Sequence, residues 1–208
     1  MSDSATRALS RSLLDLCRMR KLRIATAESC TGGLVAATLT EVPGSSDVVD
    51  RGFITYSNEA KHAMIGVETA KLEAFGAVSK EVAIAMAFGA LEHADVDLAV
   101  AITGIAGPGG ATLGKPVGLV HLAVAARDGR ITHHEQHFGA IGRSGVRHQS
   151  VIEALKMLIE MARGPKAPVK RSRAAAHRLR PRASRTPTRT SGKRRRTSRP
   201  STPRASDS

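Results

Sequence analysis

Apolar residues at Leu9, Leu13, Leu16 and Cys17 recur at helical spacing and predict an amphipathic helix from Ser4 to about Arg20, with Ser4 as its N-cap. Arg23 to Ala27 reads as a short buried strand. Helical patterning resumes at Gly32 and continues to about Thr40. Pro43-Gly44-Ser45-Ser46 punctuates the chain as a loop, and Gly52 to Tyr56 reads as a second strand ending at a Ser57-Asn58 cap. Three helices are then expected: one carrying Glu59, Lys61 and Met64 and stopped by Gly66, one from Thr69 to Phe75, and one from Ser79 to about His93.

Asp97 to Thr103 is the most strand-like run and empties into the glycine loop Gly104 to Gly110. Gly118–Ala126 and Arg130–Phe138 alternate as two strands joined by Arg127-Asp128-Gly129, a hairpin signal. A last helix opens at Gly142, with Val146, Val151, Leu155, Leu158 and Ala162 on one face. Strand–helix units followed by a hairpin imply an α/β fold: a three-layer α/β/α domain whose mixed, mostly parallel sheet ends in an antiparallel hairpin.

Composition changes this picture at the C-terminus. Met1 to Arg163 carries 17 Lys+Arg and 17 Asp+Glu, whereas Gly164 to Ser208 carries 15 Lys+Arg against Asp207 alone. The formal charge of +14 therefore belongs to the tail and says nothing about what the folded part binds. Two domains follow: 1–163 folded, and 164–208 a disordered Arg/Lys/Ser/Pro-rich tail. The tail's charge would suit non-specific nucleic-acid contact, with a solvated tail making only weak electrostatic contacts as the equal alternative, and no aromatic is interleaved for base stacking. With no Trp, one Tyr and four Phe, the core must be built from Ala, Val, Leu and Ile. Cys17 and Cys30 suggest no disulfide framework, and no run is long and apolar enough for a membrane span or a signal peptide. Cytoplasmic localisation is the expectation.

The candidate chemistry lies in three loops at strand ends: AESCTGG (Ala27–Gly33), TYSNEAK (Thr55 to Lys61) and TGIAGPGG (Thr103–Gly110). In open α/β sheets this edge binds ligands. The turn into the second helix leaves free N–H groups at a helix N-terminus, suited to an anion; equally, Ser29 or Thr31 would serve as a cap. The glycine loop is neither a P-loop nor a dinucleotide fingerprint, because Pro108 interrupts it and no Gly-Lys-Ser/Thr follows. His133 and His134 alternate along a strand and point to opposite faces, so no metal site is expected. No GxSxG elbow is present. What remains is hydroxyls plus Lys61, one turn inside its helix. A lysine with a pKa depressed by desolvation can act as general base for a serine; an exposed surface lysine is the plain alternative.

The same residues resemble a known family. AESCTGG, Pro43-Gly44-Ser45-Ser46, GFITYSNEAKHAMIGV, GAVSKEVAIAMAFGAL, AITGIAGPGG and KPVGLVHLAV occur in order and resemble the CinA C-terminal domain family, whose characterised members are nicotinamide-nucleotide amidases. The resemblance runs from the first helix to Ala162. It implies hydrolysis of the carboxamide of nicotinamide mononucleotide to nicotinate mononucleotide and ammonia, without metal or cofactor, by a homo-oligomeric enzyme. It implies a serine–lysine arrangement helped by a tyrosine, with matching positions at Ser29, Ser46, Tyr56 and Lys61. Which serine attacks stays open: Ser29 sits on a strand-to-helix turn that would expose its Oγ, and Ser46 on a loop that could fold over the same pocket. Ser46 is preferred as nucleophile with Lys61 as base, and Ser29 and Tyr56 as supporting donors. Thr31, Gly32, Gly33, Thr103, Gly104, Ala106 and Gly107 are candidates for holding the oxyanion or substrate. Arg143 and Arg147 are candidates for its phosphate. Many members carry a further N-terminal domain with no counterpart here, so the stand-alone form is expected. The competing reading is a non-catalytic nucleotide- or nucleic-acid-binding protein on the same fold.

Overall fold

The computed structural model describes residues 3–164; the tail expectation falls on residues 165–208, outside the described residues. Helix α1 (Ser4–Arg20) is followed by β1 (Ile24–Glu28), α2 (Leu34–Thr40), a 3₁₀ turn (Ser45–Asp47) and β2 (Val49–Ile54). Helices α3 (Asn58–Ile65), α4 (Thr69–Phe75) and α5 (Lys80–His93) lead to β3 (Leu98–Gly104). The hairpin β4 (Leu119–Ala126) and β5 (Ile131–His137) precedes α6 (Gly142–Arg163). The sheet order is β2-β1-β3-β4-β5. β1 pairs parallel with β2 and β3; β4 runs antiparallel to β3 and β5. The expected mixed α/β architecture is the observed one.

The alternation of side chains across the strands sorts the layers. One face presents Ile24, Leu98, Val100, Ile102, Val120, Leu122 and Val124 to α1, α2 and α6. The other presents Ala25, Ala27, Ala99, Ala101, Ala123 and Ala125 to α5. Small residues on that face admit α5, itself rich in alanine, close to the sheet, so burial comes from close approach and not from aromatic bulk. α5 also approaches α3 closely. A Cβ placed on Gly89 would overlap the carbonyl oxygen of Ile65 at the end of α3.

Three local expectations are corrected. Asp3, not Ser4, caps α1, accepting the Thr6 N–H at 2.8 Å. β2 begins at Val49 because Val49 already pairs with Ile24, and it ends at Ile54. Thr55 still donates its N–H to Glu28 (2.8 Å), but its carbonyl has turned out of the sheet. Neither Ser29 nor Thr31 caps α2; the cap position is Gly33 at φ +90°, which offers no side chain. His133 and His134 do lie on opposite faces: His133 meets His121 at 3.1 Å, and His134 meets Glu153 of α6 at 2.7 Å. Among the described residues no helix is long and apolar enough to cross a membrane.

Candidate active site

Parallel pairing of β1 with β2 and β3 brings the residues that follow β1 and β2 to one sheet edge. Ser29 leaves β1 with its N–H bonded to the Ile102 carbonyl of β3 (3.0 Å). Ser57 caps α3 by accepting the Ala60 N–H at 3.0 Å. This cap aims the first turn of α3 so that Lys61 points inward, under the Ser29 turn. Lys61 is 1% exposed and Ser29 9%.

Lys61 Nζ lies 3.2 Å from Ser29 Oγ, 2.9 Å from the Thr55 carbonyl, and 3.4 Å from each of the Tyr56 and Ser57 carbonyls. No carboxylate joins this set. Burial therefore pushes the Lys61 amine below the ordinary lysine range, with Cys30 and Glu59 opposing weakly. A neutral amine here donates to the backbone carbonyls and turns its lone pair to the Ser29 hydroxyl, the arrangement a general base requires. Cys30, beside them, is not a competing nucleophile: burial raises its thiol to about 12.

The buried amine also leaves a mark on stability. The unfolded chain holds a proton on Lys61 at pH values where the folded chain does not. Stability therefore rises with pH from the lowered folded pKa up to the unfolded value of about 10.4. The burial penalty is fully present below that window. Urea unfolding of wild type against Lys61→Met at neutral and alkaline pH is expected to show wild type gaining on the variant as pH rises. A constant difference would mean that the lysine is charged throughout.

Ser46, the preferred nucleophile of the sequence reading, is not among the groups that meet Lys61 Nζ. It sits exposed on the 3₁₀ turn before β2, where Arg18 of α1 bonds the Gly44 carbonyl (2.9 Å) and approaches Asp47 (3.5 Å). β2 separates that turn from Thr55; a six-residue strand spans about 20 Å. Ser46 and Ser29 thus occupy opposite edges of the sheet.

The other named residues divide. The Tyr56 hydroxyl accepts from Arg143 at 3.0 Å, and Arg143 also donates to the Gly107 carbonyl at 3.1 Å, so Tyr56, Arg143 and the glycine loop meet at the rim. Arg147 donates to the Thr31 carbonyl at 2.8 Å and stands over Gly32. Arg147 Nε and Thr31 Oγ1 are buried with no hydrogen-bond partner among the described residues, two polar groups left beside the Ser29 turn. Thr103 does not offer its hydroxyl, which is spent on the Ala77 carbonyl at 2.7 Å. Gly104 backs onto Leu119 and Val120 of β4, and Ala106 is buried. The helix N-terminus expected to hold an anion is already filled: the Glu28 carboxylate accepts the Val35 and Ala36 N–H groups. Sequence reasoning missed Glu28. Its signal was an acid ending an otherwise uncharged strand.

Among the described residues no cluster of three or more His, Cys, Asp or Glu side chains is placed to hold a metal ion.

Comparison with known proteins agrees with this architecture. The CinA C-terminal domain profile matches residues 6–162. The nicotinamide-nucleotide amidohydrolase PncC of Escherichia coli K12 is 48% identical over 159 residues, covering 76% of this chain and 95% of that protein. A CinA-like protein of Chlorobium phaeovibrioides is 47% identical over 161 residues, but this chain spans only 38% of its length. Among solved structures, the competence/damage inducible protein CihA of Agrobacterium tumefaciens superposes with a TM-score of 0.76 at 52% identity, covering 77% of this chain and 98% of that one. A CinA superfamily protein of Klebsiella pneumoniae gives 0.72 at 35% identity, covering 76% and 97%.

Proposed function

Because the chain belongs to the CinA C-terminal domain family, and because it buries a lysine amine against a serine hydroxyl, we propose that it is an amidohydrolase acting on nicotinamide mononucleotide through Ser29 and Lys61. That the PncC relatives are nicotinamide-nucleotide amidohydrolases supports the substrate. The 3.2 Å contact, made without a counter-ion, is the observation that carries the mechanism.

In this reading neutral Lys61 takes the Ser29 proton as Oγ attacks the carboxamide carbon. The tetrahedral intermediate collapses, the C–N bond breaks, and the Lys61 ammonium returns the proton to the leaving nitrogen, releasing ammonia and an ester on Ser29. Lys61, neutral again, deprotonates water; hydroxide attacks the ester carbon, nicotinate mononucleotide leaves, and Ser29 recovers its proton. Tyr56 and Arg143 at the rim, and Arg147 and Thr31 beside the turn, hold the nucleotide. With α2 closed by Glu28, the guanidinium of Arg147 is the better seat for the phosphate, since its Nε is unspent.

Ammonia release from nicotinamide mononucleotide in the presence of EDTA tests the assignment: turnover is expected, and its absence in the folded protein would overturn it. kcat/KM is expected to rise with pH through the depressed Lys61 pKa. Arg147→Met is expected to raise KM about tenfold or more while kcat stays within about threefold, the pattern of lost ground-state and transition-state binding together. A fall in kcat at constant KM would instead put Arg147 in the chemical step.

A further inference from the structure

Glu28 is wholly buried, and no arginine, lysine or histidine meets its carboxylate among the described contacts. Three donors do. Val35 N–H reaches Oε2 at 3.1 Å, Ala36 N–H reaches Oε1 at 2.9 Å, and the Thr26 hydroxyl reaches Oε1 at 3.1 Å. The first two are orphan N–H groups of α2, whose own cap position, Gly33, has no side chain to give. Glu28 thus does from a distance what a capping side chain does locally, and its charge is answered by the positive end of the helix. The result is a closed ring: the backbone from Glu28 to Val35 is tied at both ends, with Ser29 to Gly33 inside it.

The main chain of the same residue fixes the other partner. The Glu28 carbonyl accepts the Thr55 N–H at 2.8 Å, and the Thr55 carbonyl is the nearest group to Lys61 Nζ, at 2.9 Å. One residue therefore sets the turn that carries Ser29 Oγ and, through Thr55, the site that holds Lys61 Nζ.

We infer that Glu28 is a positioning residue for the reaction, its carboxylate clamping the N-terminus of α2 so that the Ser29 turn is held against Lys61. This rests on the Ser29–Lys61 amidase reading. Geometry makes the requirement specific. Aspartate is one methylene too short to reach from β1 to two N–H groups of α2. Glutamine accepts from one of them and presents its own NH₂ to the other.

The test uses the full chain as wild type, Glu28→Gln and Thr26→Val, with Ser29→Ala as control. Two readouts are followed: turnover of nicotinamide mononucleotide, and the p-nitrophenol burst from p-nitrophenyl acetate, which reports serine acylation independently of the nucleotide. For folded Glu28→Gln, kcat and the burst rate are expected to fall about 10- to 100-fold, with KM within about threefold and the pH at which kcat/KM rises unchanged. Loss of packing alone would lower the melting temperature and leave these rates intact below it. A kcat within about threefold of wild type overturns the inference, and so does a displaced pH dependence, which would make Glu28 an electrostatic partner of Lys61. If Glu28→Gln does not fold, Thr26→Val decides: it removes one of the three donors at nearly constant shape. A kcat about threefold or more below wild type at unchanged KM is expected, and an unchanged kcat overturns the inference. Failure of the amidase reading is distinguishable, because wild type itself would then give neither turnover nor a burst dependent on Ser29.

Discussion

Ser29→Ala and Lys61→Met are each expected to lower kcat for nicotinamide mononucleotide by about a thousandfold or more, and the double variant to be little worse than either. The two groups act as a unit: without the amine the hydroxyl is not deprotonated, and without the hydroxyl the amine has nothing to activate. Non-additivity is therefore as diagnostic as the size of the loss. Ser46→Ala, on the opposite edge of the sheet, is expected to keep kcat within about threefold. Steady-state ammonia release from wild type and the four variants checks all three statements. An inactive Ser46→Ala beside an active Ser29→Ala would reverse the assignment of the nucleophile.

The second large effect is on stability. In an exposed helix interior Gly→Ala is worth close to 1 kcal/mol of stabilisation. At Gly89 the sign is expected to invert, because the added methyl would meet the Ile65 carbonyl, a backbone atom with nowhere to go. Gly89→Ala is expected to cost about 3 kcal/mol, or roughly 6–12 °C in melting temperature for a domain of this size. The shift is read by thermal denaturation. It also bears on function, since Ile65 ends the helix that carries Lys61: α5 can be moved off α3 only by disturbing the amine's helix. A melting temperature at or above that of wild type would show that the two helices are not in this close contact.

Much of the architecture was legible because its signals are local. Ser57 and Ser79 as caps, Gly66 as a stop, the Arg127–Gly129 turn and the apolar periodicity of α6 each specify an element without help from the rest of the chain. The errors arose where a distant residue decides. Ser29 and Thr31 have the chemistry of caps, but α2 takes its cap from Glu28, seven residues before Val35. The glycine run from Gly104 to Gly110 invites a ligand cradle, yet Gly104 is a close contact with β4 and the Thr103 hydroxyl is spent inside the fold. Ser46 sits in a turn of the right composition, and only the parallel order of β2 beside β1 places it at the far edge. Desolvation of Lys61 was the condition that the sequence could not supply. It follows from the inward aim of the first turn of α3 and from three backbone carbonyls whose meeting point depends on where β2 ends.

The most direct test of the central claim is to trap the acyl-enzyme. Enzyme mixed with substoichiometric nicotinamide mononucleotide, quenched in acid within one turnover and digested, is analysed by peptide mass spectrometry for the acyl group. The account predicts the adduct on Ser29 in wild type and its absence in Lys61→Met. An adduct on Ser46, or turnover with no adduct on any residue, would contradict it.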